Sequence, residues 1–300
     1  MTIPPTGPVT LNAMFGNYWN TQALKTGDVK SPLVSFDFPE VKTANLFFKA
    51  VVREARFDVS ELAIVTYLQA KAYDKPYVLM PALIVSRGQH HTIAYNPERG
   101  SLTPRDLAGK RVGVRAYTQT TGAWVRGILA DDYGVDLDKI TWITFEDPHL
   151  AEYADPAVVQ KAPDSKNLVQ MLLDGEIDAA VVGESLPDPR LKYLIPDADA
   201  AGRQWAAKHG GTPINHMAVV RKSLVQSRPD VVKEVFRLLV ESRKAGKPPN
   251  DEQAGAIRFG FEAVRPSLEL IIDYSVKQKL IPKRFSVEEL FDNTTRALKP

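Results

Sequence analysis

The sequence contains no cysteine. This absence excludes disulfide bonds, thiolate catalysis and zinc sites with cysteine ligands. Long hydrophobic runs are also absent: the longest apolar stretches have the length of a strand, whereas a membrane-spanning helix needs about 20 apolar residues. Neither sign of charge dominates, since 38 Lys and Arg face 36 Asp and Glu. We therefore expect neither a membrane nor a nucleic acid as a partner.

The N-terminus lacks the features of a secretory signal. Its first residues, MTIPPTGPVTLNAMFG, include no basic start, no apolar segment of sufficient length and no small-residue cleavage site. If Met1 is the natural start of the protein, we expect a cytoplasmic location.

Several motifs of common enzyme classes are missing. There is no G-x-x-x-x-G-K loop for a nucleotide, no G-x-S-x-G elbow of a serine hydrolase and no glycine-rich dinucleotide fingerprint. The spacing of the histidines does not match H-E-x-x-H or a comparable metal motif. These absences disfavour hydrolases, dehydrogenases and zinc enzymes. The five histidines are His90, His91, His149, His209 and His216.

The length and the alternation of strand and helix patterns predict a two-lobed α/β protein with a central ligand cleft. At 300 residues, the chain exceeds the size at which one hydrophobic core usually stops growing. We expect lobe one to be discontinuous and to comprise residues 1–88 and 215–300. Lobe two is expected to comprise residues 89–214, including the crossings between the lobes.

Two stretches of the chain repeat one pattern, a short strand with an Asp near its start and a Glu beyond its end. They are FDVSE at 57–61 and IDAAVVGE at 177–184. Ligands of open α/β sheets collect beyond the carboxyl ends of the strands. Ser60, Glu61 and Glu184 are therefore predicted to lie near the cleft, and the alternative is that they are solvated loop residues.

The segment 112–121 joins a predicted strand to a predicted helix. Free backbone N–H groups and the positive end of the helix dipole meet at such a junction and favour an anion. The alternative interpretation is simple capping of the helix by Thr120 or Thr121. The residues that we expect to bind a carboxylate or phosphate here are Arg115, Tyr117, Thr118, Gln119, Thr120 and Thr121.

Two regions place a histidine where it could act as an acid or base. His216 precedes an apolar strand in PINHMAVV, where it is either a core histidine or an acid–base group. His90 and His91 would point to opposite sides of an extended segment, so at most one of them faces a given cleft. Beside Arg87, that histidine could meet an anion, and the alternative is an exposed turn residue.

Six segments, spread over most of the chain, form a recognisable set of motifs. They are FDVSE at 57–61, Ser86-Arg87 with His91, RDLAGKRVGVRAYTQTTGAWVRGILADDYGVD at 105–136, LLDGEIDAAVV at 172–182, PINHMAVVRKSL at 213–224 and KRFSVEELF at 283–291. In these motifs the chain resembles the 4,5-dihydroxyphthalate decarboxylase family. The resemblance implies a type II periplasmic-binding-protein fold used as a cytoplasmic, cofactor-independent decarboxylase of a hydroxylated aromatic acid. A homo-oligomer is a further expectation.

The resemblance also suggests roles for individual residues. Decarboxylation of an aromatic ring needs an acid that protonates the ring carbon, and an unperturbed imidazole titrates near 6.5. His216 or His91 is the expected proton donor, and Glu61 or Glu184 would take a phenolic proton. Carboxylate binding is expected from Arg87, Arg115 and the 118–121 turn. Tyr18 is a further substrate-binding candidate, although the family often has an acidic residue where this chain has Asn17.

A second class of function uses the same cleft. In this alternative, the chain is a solute-binding protein that delivers a small aromatic or sulfonated anion to an ABC transporter. The central motif at 105–136 and the lack of a signal peptide favour the enzyme.

Overall fold

Residues 7–300 are described by a computed structural model in which strands and helices alternate along most of the chain. The strands are β1 (Val9–Met14), β2 (Val34–Asp37), β3 (Val59–Ala63), β4 (Tyr77–Ser86), β5 (Ile93–Tyr95), β6 (Arg111–Val114), β7 (Thr141–Thr144), β8 (Val159–Lys161), β9 (Ala179–Val181), β10 (Lys192–Tyr193) and β11 (Ile214–Arg221). The helices are α1 (Gln22–Lys25), α2 (Phe48–Glu54), α3 (Ile64–Ala72), α4 (Thr120–Tyr133), α5 (Leu168–Asp174), α6 (Ala198–His209), α7 (Lys222–Ser227), α8 (Pro229–Ala245), α9 (Asp251–Ala256), α10 (Phe261–Lys277) and α11 (Asn293–Arg296). No helix within residues 7–300 is long and apolar enough to cross a membrane.

The chain divides into two compact units. Unit one contains Met1–Arg87, Ile214–Leu270 and Lys283–Pro300. Its five-stranded sheet has the order β2-β1-β3-β11-β4. Strand β1 pairs in parallel with β2 and β3, whereas β11 runs antiparallel to β3 and β4. The last strand of this sheet in chain order therefore lies between two early strands, which makes unit one discontinuous in sequence.

Unit two contains Gly88–Pro213 and Ile271–Pro282. Its six-stranded sheet has the order β10-β5-β9-β6-β7-β8. Strand β6 pairs in parallel with both β7 and β9, and β5 joins β9 in the antiparallel direction. A cluster of buried apolar side chains packs below this sheet and includes Ile143, Met171, Leu172 and Ile177.

The division of the chain differs from the expected boundaries by one residue at Gly88 and at Ile214 and by a whole segment near the C-terminus. Residues 271–282 lie in unit two, whereas the sequence analysis assigned them to lobe one. The reason is visible in their packing against α4. Tyr274 lies edge-on to Trp124 with ring centroids 5.7 Å apart. The side-chain oxygen of Gln278 accepts a hydrogen bond from Arg126 Nε at 2.7 Å.

Strands β3 and β11 bring two of the predicted site residues onto one face of the unit-one sheet. All five residues of β3 are buried, as expected for a central strand. The register pairs Ala218 with Glu61 and His216 with Ala63. Glu61 and His216 are therefore diagonal neighbours on adjacent strands, close enough for long side chains to meet. Glu61 lies inside β3 and not beyond its end, and the alternative that Ser60 and Glu61 are solvated loop residues is wrong, because both are buried in this strand.

Candidate active site around Glu61

The carboxylate of Glu61 is completely buried and accepts three hydrogen bonds. Oε1 accepts one from the Tyr18 hydroxyl at 2.9 Å and lies 3.3 Å from His216 Nδ1. Oε2 accepts one from the Gly16 backbone N–H at 3.2 Å. A buried charge is costly unless donors replace the lost water, and these three donors meet that need. We refer to Gly16, Tyr18, Glu61 and His216 as the Glu61 cluster.

The imidazole of His216 forms the outer part of the cluster. Its side chain is 20% exposed, whereas that of Glu61 is 0% exposed. Phe48 of α2 packs edge-on against the ring, with centroids 5.1 Å apart. The Nδ1 atom faces Oε1 of Glu61, which leaves Nε2 to act on a ligand. The arrangement is a carboxylate–imidazole pair with one nitrogen fixed in orientation.

The segment after β1 supplies the other two donors to Glu61. Because β1 runs parallel to β3 with Met14 beside Ser60, the chain leaves β1 near the Glu61 side chain. Thr21 holds the following turn, since its hydroxyl donates to the Gly16 carbonyl at 2.7 Å and accepts from the Tyr18 N–H at 3.2 Å. A Cβ at position 16 would lie 2.6 Å from the Tyr18 ring, so any larger residue there would have to displace this ring.

Lys25 of α1 lies close to this turn. Its ammonium group donates hydrogen bonds to the carbonyl of Phe15 and to the side-chain oxygen of Asn17. Burial lowers the pKa of Lys25, and the charge of Glu61 partly offsets that effect. Lys25 therefore adds positive charge near the cluster while it ties down the chain on either side of Gly16.

The structure does not place Ser60 and Arg87 in the Glu61 cluster. Side chains alternate between the faces of a strand, so Ser60 points away from the face that carries Glu61. It is fully buried, and its hydroxyl donates to the Glu61 backbone carbonyl at 2.7 Å. Arg87 is half-buried and follows the last residue of β4 directly.

The predicted anion-binding residues of unit two surround the start of α4. Arg115 follows β6, and its Nε lies 3.6 Å from a carboxylate oxygen of Glu146. Helix α4 begins at Thr120, with Gln119 as its N-cap residue. Capping by Thr120 or Thr121, the alternative from the sequence, is therefore wrong. The buried members of this turn are Tyr117, Thr118, Thr120 and Thr121.

The two remaining catalytic candidates also lie in unit two. His91 is half-buried, and its ring is edge-on to Tyr193 with centroids 6.3 Å apart. Glu184 is exposed and lies three residues beyond β9. Within residues 7–300, no group of three or more His, Asp or Glu side chains is arranged to hold a metal ion.

Sequence reasoning missed two residues near Glu61. Gly16 was missed because its contribution is a backbone N–H, which any residue except proline would offer. The available signal was the aromatic residue Tyr18, which stands two positions after this glycine. Lys25 belongs to no motif. Helix α1 is too short to show an apolar periodicity from which the direction of the Lys25 side chain could be predicted.

The fold is that of the periplasmic binding proteins. The alkanesulfonate-binding protein SsuA from Xanthomonas axonopodis pv. citri superposes with a TM-score of 0.57 at 16% identity, over 96% of this chain and 99% of that protein. The desulfurization enzyme DSZB superposes with a TM-score of 0.52 at 13% identity, over 95% of this chain and 97% of that enzyme. The same fold thus occurs in a binding protein and in an enzyme.

Sequence comparison narrows the class further. The 4,5-dihydroxyphthalate decarboxylase of Comamonas testosteroni is 32% identical over 233 residues, which cover 73% of this chain and 70% of that protein. The enzyme of the same name from Pseudomonas putida is 31% identical over 216 residues, covering 66% of this chain and 81% of that protein. No family model matches the chain. The chain belongs to the 4,5-dihydroxyphthalate decarboxylase family.

The packing at Gly16 leads to a first testable prediction. In Gly16→Ala, the new Cβ should push the Tyr18 ring away and deprive the buried carboxylate of a donor, at a cost of about 1–3 kcal/mol in the free energy of unfolding. Urea denaturation measures this change. Gly255→Ala is the matched control, because a Cβ there meets nothing within 4 Å, and it should be neutral or slightly stabilising. Equal stability of the two variants would contradict the assigned contact.

His90 predicts a loss of stability in weak acid. Burial lowers its pKa to about 4, with a smaller opposing effect from the charge of Asp132. The unfolded chain, with a histidine pKa near 6.5, therefore binds a proton that the folded chain does not. The free energy of unfolding is highest above pH 6.5 and falls as the pH drops towards 4. Between pH 7.5 and pH 5, the decrease should be on the order of 1–2 kcal/mol. Urea denaturation of His90→Leu should show a smaller difference between these two pH values, and an unchanged difference would refute this role.

Proposed function

We propose that the protein decarboxylates a hydroxylated aromatic dicarboxylic acid of the 4,5-dihydroxyphthalate type. The observation that carries the proposal is the Glu61–His216 pair, in a chain that belongs to a decarboxylase family. Membership of the family supports the reaction class, and the pair supplies the acid that the reaction needs.

The chemistry explains why an acid and a hydroxylated ring belong together. In 4,5-dihydroxyphthalate, each carboxylate is para to a hydroxyl group. The phenolic oxygen pushes electron density to the carbon that bears the carboxylate, and that carbon accepts a proton. The bond between the ring and the carboxylate then breaks, its electron pair restores the aromatic ring, and CO2 leaves. One proton is consumed for each CO2 released, so the net reaction needs no oxidant or reductant.

His216 is the proton donor in this proposal. Its Nε2 is the ring nitrogen that does not face Glu61, and a positioned general acid typically contributes about 10²- to 10⁴-fold to the rate. The buried carboxylate faces Nδ1 and fixes the orientation of the ring. Because both oxygens of Glu61 already accept hydrogen bonds, its role is to orient His216 rather than to take a phenolic proton.

Tyr18 and Lys25 assist at the same site. The Tyr18 hydroxyl is committed to Glu61, so its contribution to a ligand comes from the ring. Lys25 supplies a cation that attracts an acidic substrate to this part of unit one.

His91 as an alternative proton donor, Arg87 as a carboxylate ligand and Glu184 as a base remain part of the proposal. The cytoplasmic location, the role in aromatic catabolism and the homo-oligomer remain predictions.

A second candidate function is binding without turnover. The superposition on an alkanesulfonate-binding protein favours this alternative. A solute receptor for a small aromatic or sulfonated anion would use an anion site but would not need an acid held by a buried carboxylate. The two functions differ in one measurable result, which is the release of CO2.

Substitution of His216 tests the role of the pair. His216→Gln keeps a polar side chain but removes the imidazole that donates the proton, so turnover of 4,5-dihydroxyphthalate should fall about 100-fold or more while KM changes little. Glu61→Gln should lower kcat as well, because the imidazolium loses its counter-charge. CO2 release and the ultraviolet change of the ring are the measurements.

Two further variants complete this test. His209→Gln, in unit two and outside the Glu61 cluster, should keep full activity. His91→Gln tests the alternative donor. Unchanged turnover in folded His216→Gln would refute the proposed donor, and a large loss in His91→Gln would then transfer the role. Saturable binding without any turnover by the unmodified protein would favour the solute receptor.

A further inference from the structure

The inference concerns Phe48, the first residue of α2, which has no role in the mechanism above. Its side chain is 1% exposed. The phenyl ring contacts the imidazole of His216, with ring centroids 5.1 Å apart and ring planes at 87°. A buried apolar ring therefore lies against the group that we propose as the proton donor.

The contact with Glu61 alone does not determine how the imidazole is oriented. Among the described residues, Glu61 is the one hydrogen-bond partner of the His216 side chain, and Nδ1 lies 3.3 Å from Oε1. This distance is beyond the roughly 3.2 Å at which the usual range of N–H···O bonds ends. A single contact at one ring atom allows the imidazole to turn about that contact. A second contact from another direction is needed to fix the ring.

The backbone around His216 is irregular on one side of the strand. The pairing of β11 with β3 is continuous through this residue. On the side of β4, the register shifts between Ile214 and His216 and again between His216 and Met217. Irregular pairing of this kind changes the direction of a side chain and is common next to active sites. The orientation of His216 therefore depends on its side-chain contacts as well as on the strand.

Phe48 is itself held firmly in unit one. The buried side of α2 consists of Phe48, Val51 and Val52, and this helix contacts β3. Because β3 also carries Glu61, the phenyl ring and the carboxylate are attached to one strand of the sheet. The two groups that contact the imidazole thus share one rigid support.

We infer that Phe48 is a positioning residue for the decarboxylation, and that it acts through His216. Its ring prevents the imidazole from turning about the contact with Glu61 and so keeps Nε2 directed at the ring carbon of the substrate. The inference rests on the proposed function for the proton transfer, whereas the contact between the two rings rests on the geometry of unit one.

The kinetic test replaces the phenyl ring by an aliphatic side chain. Phe48→Leu should lower kcat for 4,5-dihydroxyphthalate about 10-fold while KM stays within about twofold, because the proton donor is misdirected and the substrate still binds. Phe236→Leu is the matched control in unit one, since that ring is equally buried and packs on Phe259 at a centroid distance of 5.8 Å. It should lose stability as well but keep the kcat of the unmodified protein.

A spectroscopic measurement separates positioning from a general loss of structure. The imidazole protons of His216 are observed by NMR after isotope labelling of histidine, and their signals are assigned by their disappearance in His216→Gln. The ring current of a neighbouring phenyl group shifts these signals. Phe48→Leu should therefore move the His216 signals more than those of the other four histidines, and Phe236→Leu should leave them in place.

The outcomes decide between the roles. Unchanged kcat, unchanged His216 signals or an equal loss of kcat in Phe236→Leu would overturn the inference, and a higher KM with unchanged kcat would make Phe48 a binding residue instead. Circular dichroism checks folding, and Phe48→Met, which also lacks the ring, replaces Phe48→Leu if the latter does not fold. Full turnover in His216→Gln would refute the proposed donor, and the positioning role with it, even if the His216 signals still move in Phe48→Leu.

Discussion

The buried carboxylate of Glu61 sets the constraint on which the candidate site depends. A charge removed from water needs donors in fixed places, and here three donors come from two distant parts of the sequence. Tyr18 and Gly16 follow β1, and His216 belongs to β11. The sheet order places β3 between exactly these two strands. The fold of unit one thus determines which groups meet at Glu61, and it holds the His216 ring against this carboxylate.

Unit two contains the opposite case, a buried cation. Arg126 satisfies two of its three nitrogens with Tyr117 and Gln278, and two aromatic rings cover its face. Within the described residues, no neighbouring side chain supplies a carboxylate that pairs with Arg126. The two units thus stabilise a buried charge in different ways: Glu61 is surrounded by hydrogen-bond donors, and Arg126 by oxygen acceptors and aromatic rings.

Much of this architecture could be predicted from local patterns. The strands predicted around 57–61 and after His216 correspond to β3 and β11, and the polar segment 115–121 indicated the start of α4. The sequence could not reveal that Glu61 is completely buried, because a carboxylate there is stable only through donors distant in sequence. Nor could it assign residues 271–282 to unit two, since that depends on Tyr274 and Gln278 packing on α4. Pairing between distant segments was the missing information.

The most direct test of the account follows the proton that it assigns to the ring carbon. Unmodified protein is incubated with 4,5-dihydroxyphthalate in D2O, and the product is examined by proton NMR and mass spectrometry. The account predicts one CO2 per molecule of 3,4-dihydroxybenzoate formed, with a single deuterium at the carbon that lost its carboxylate and a rate that depends on His216. Saturable binding of 4,5-dihydroxyphthalate with no CO2 and no deuterium on the ring would contradict it.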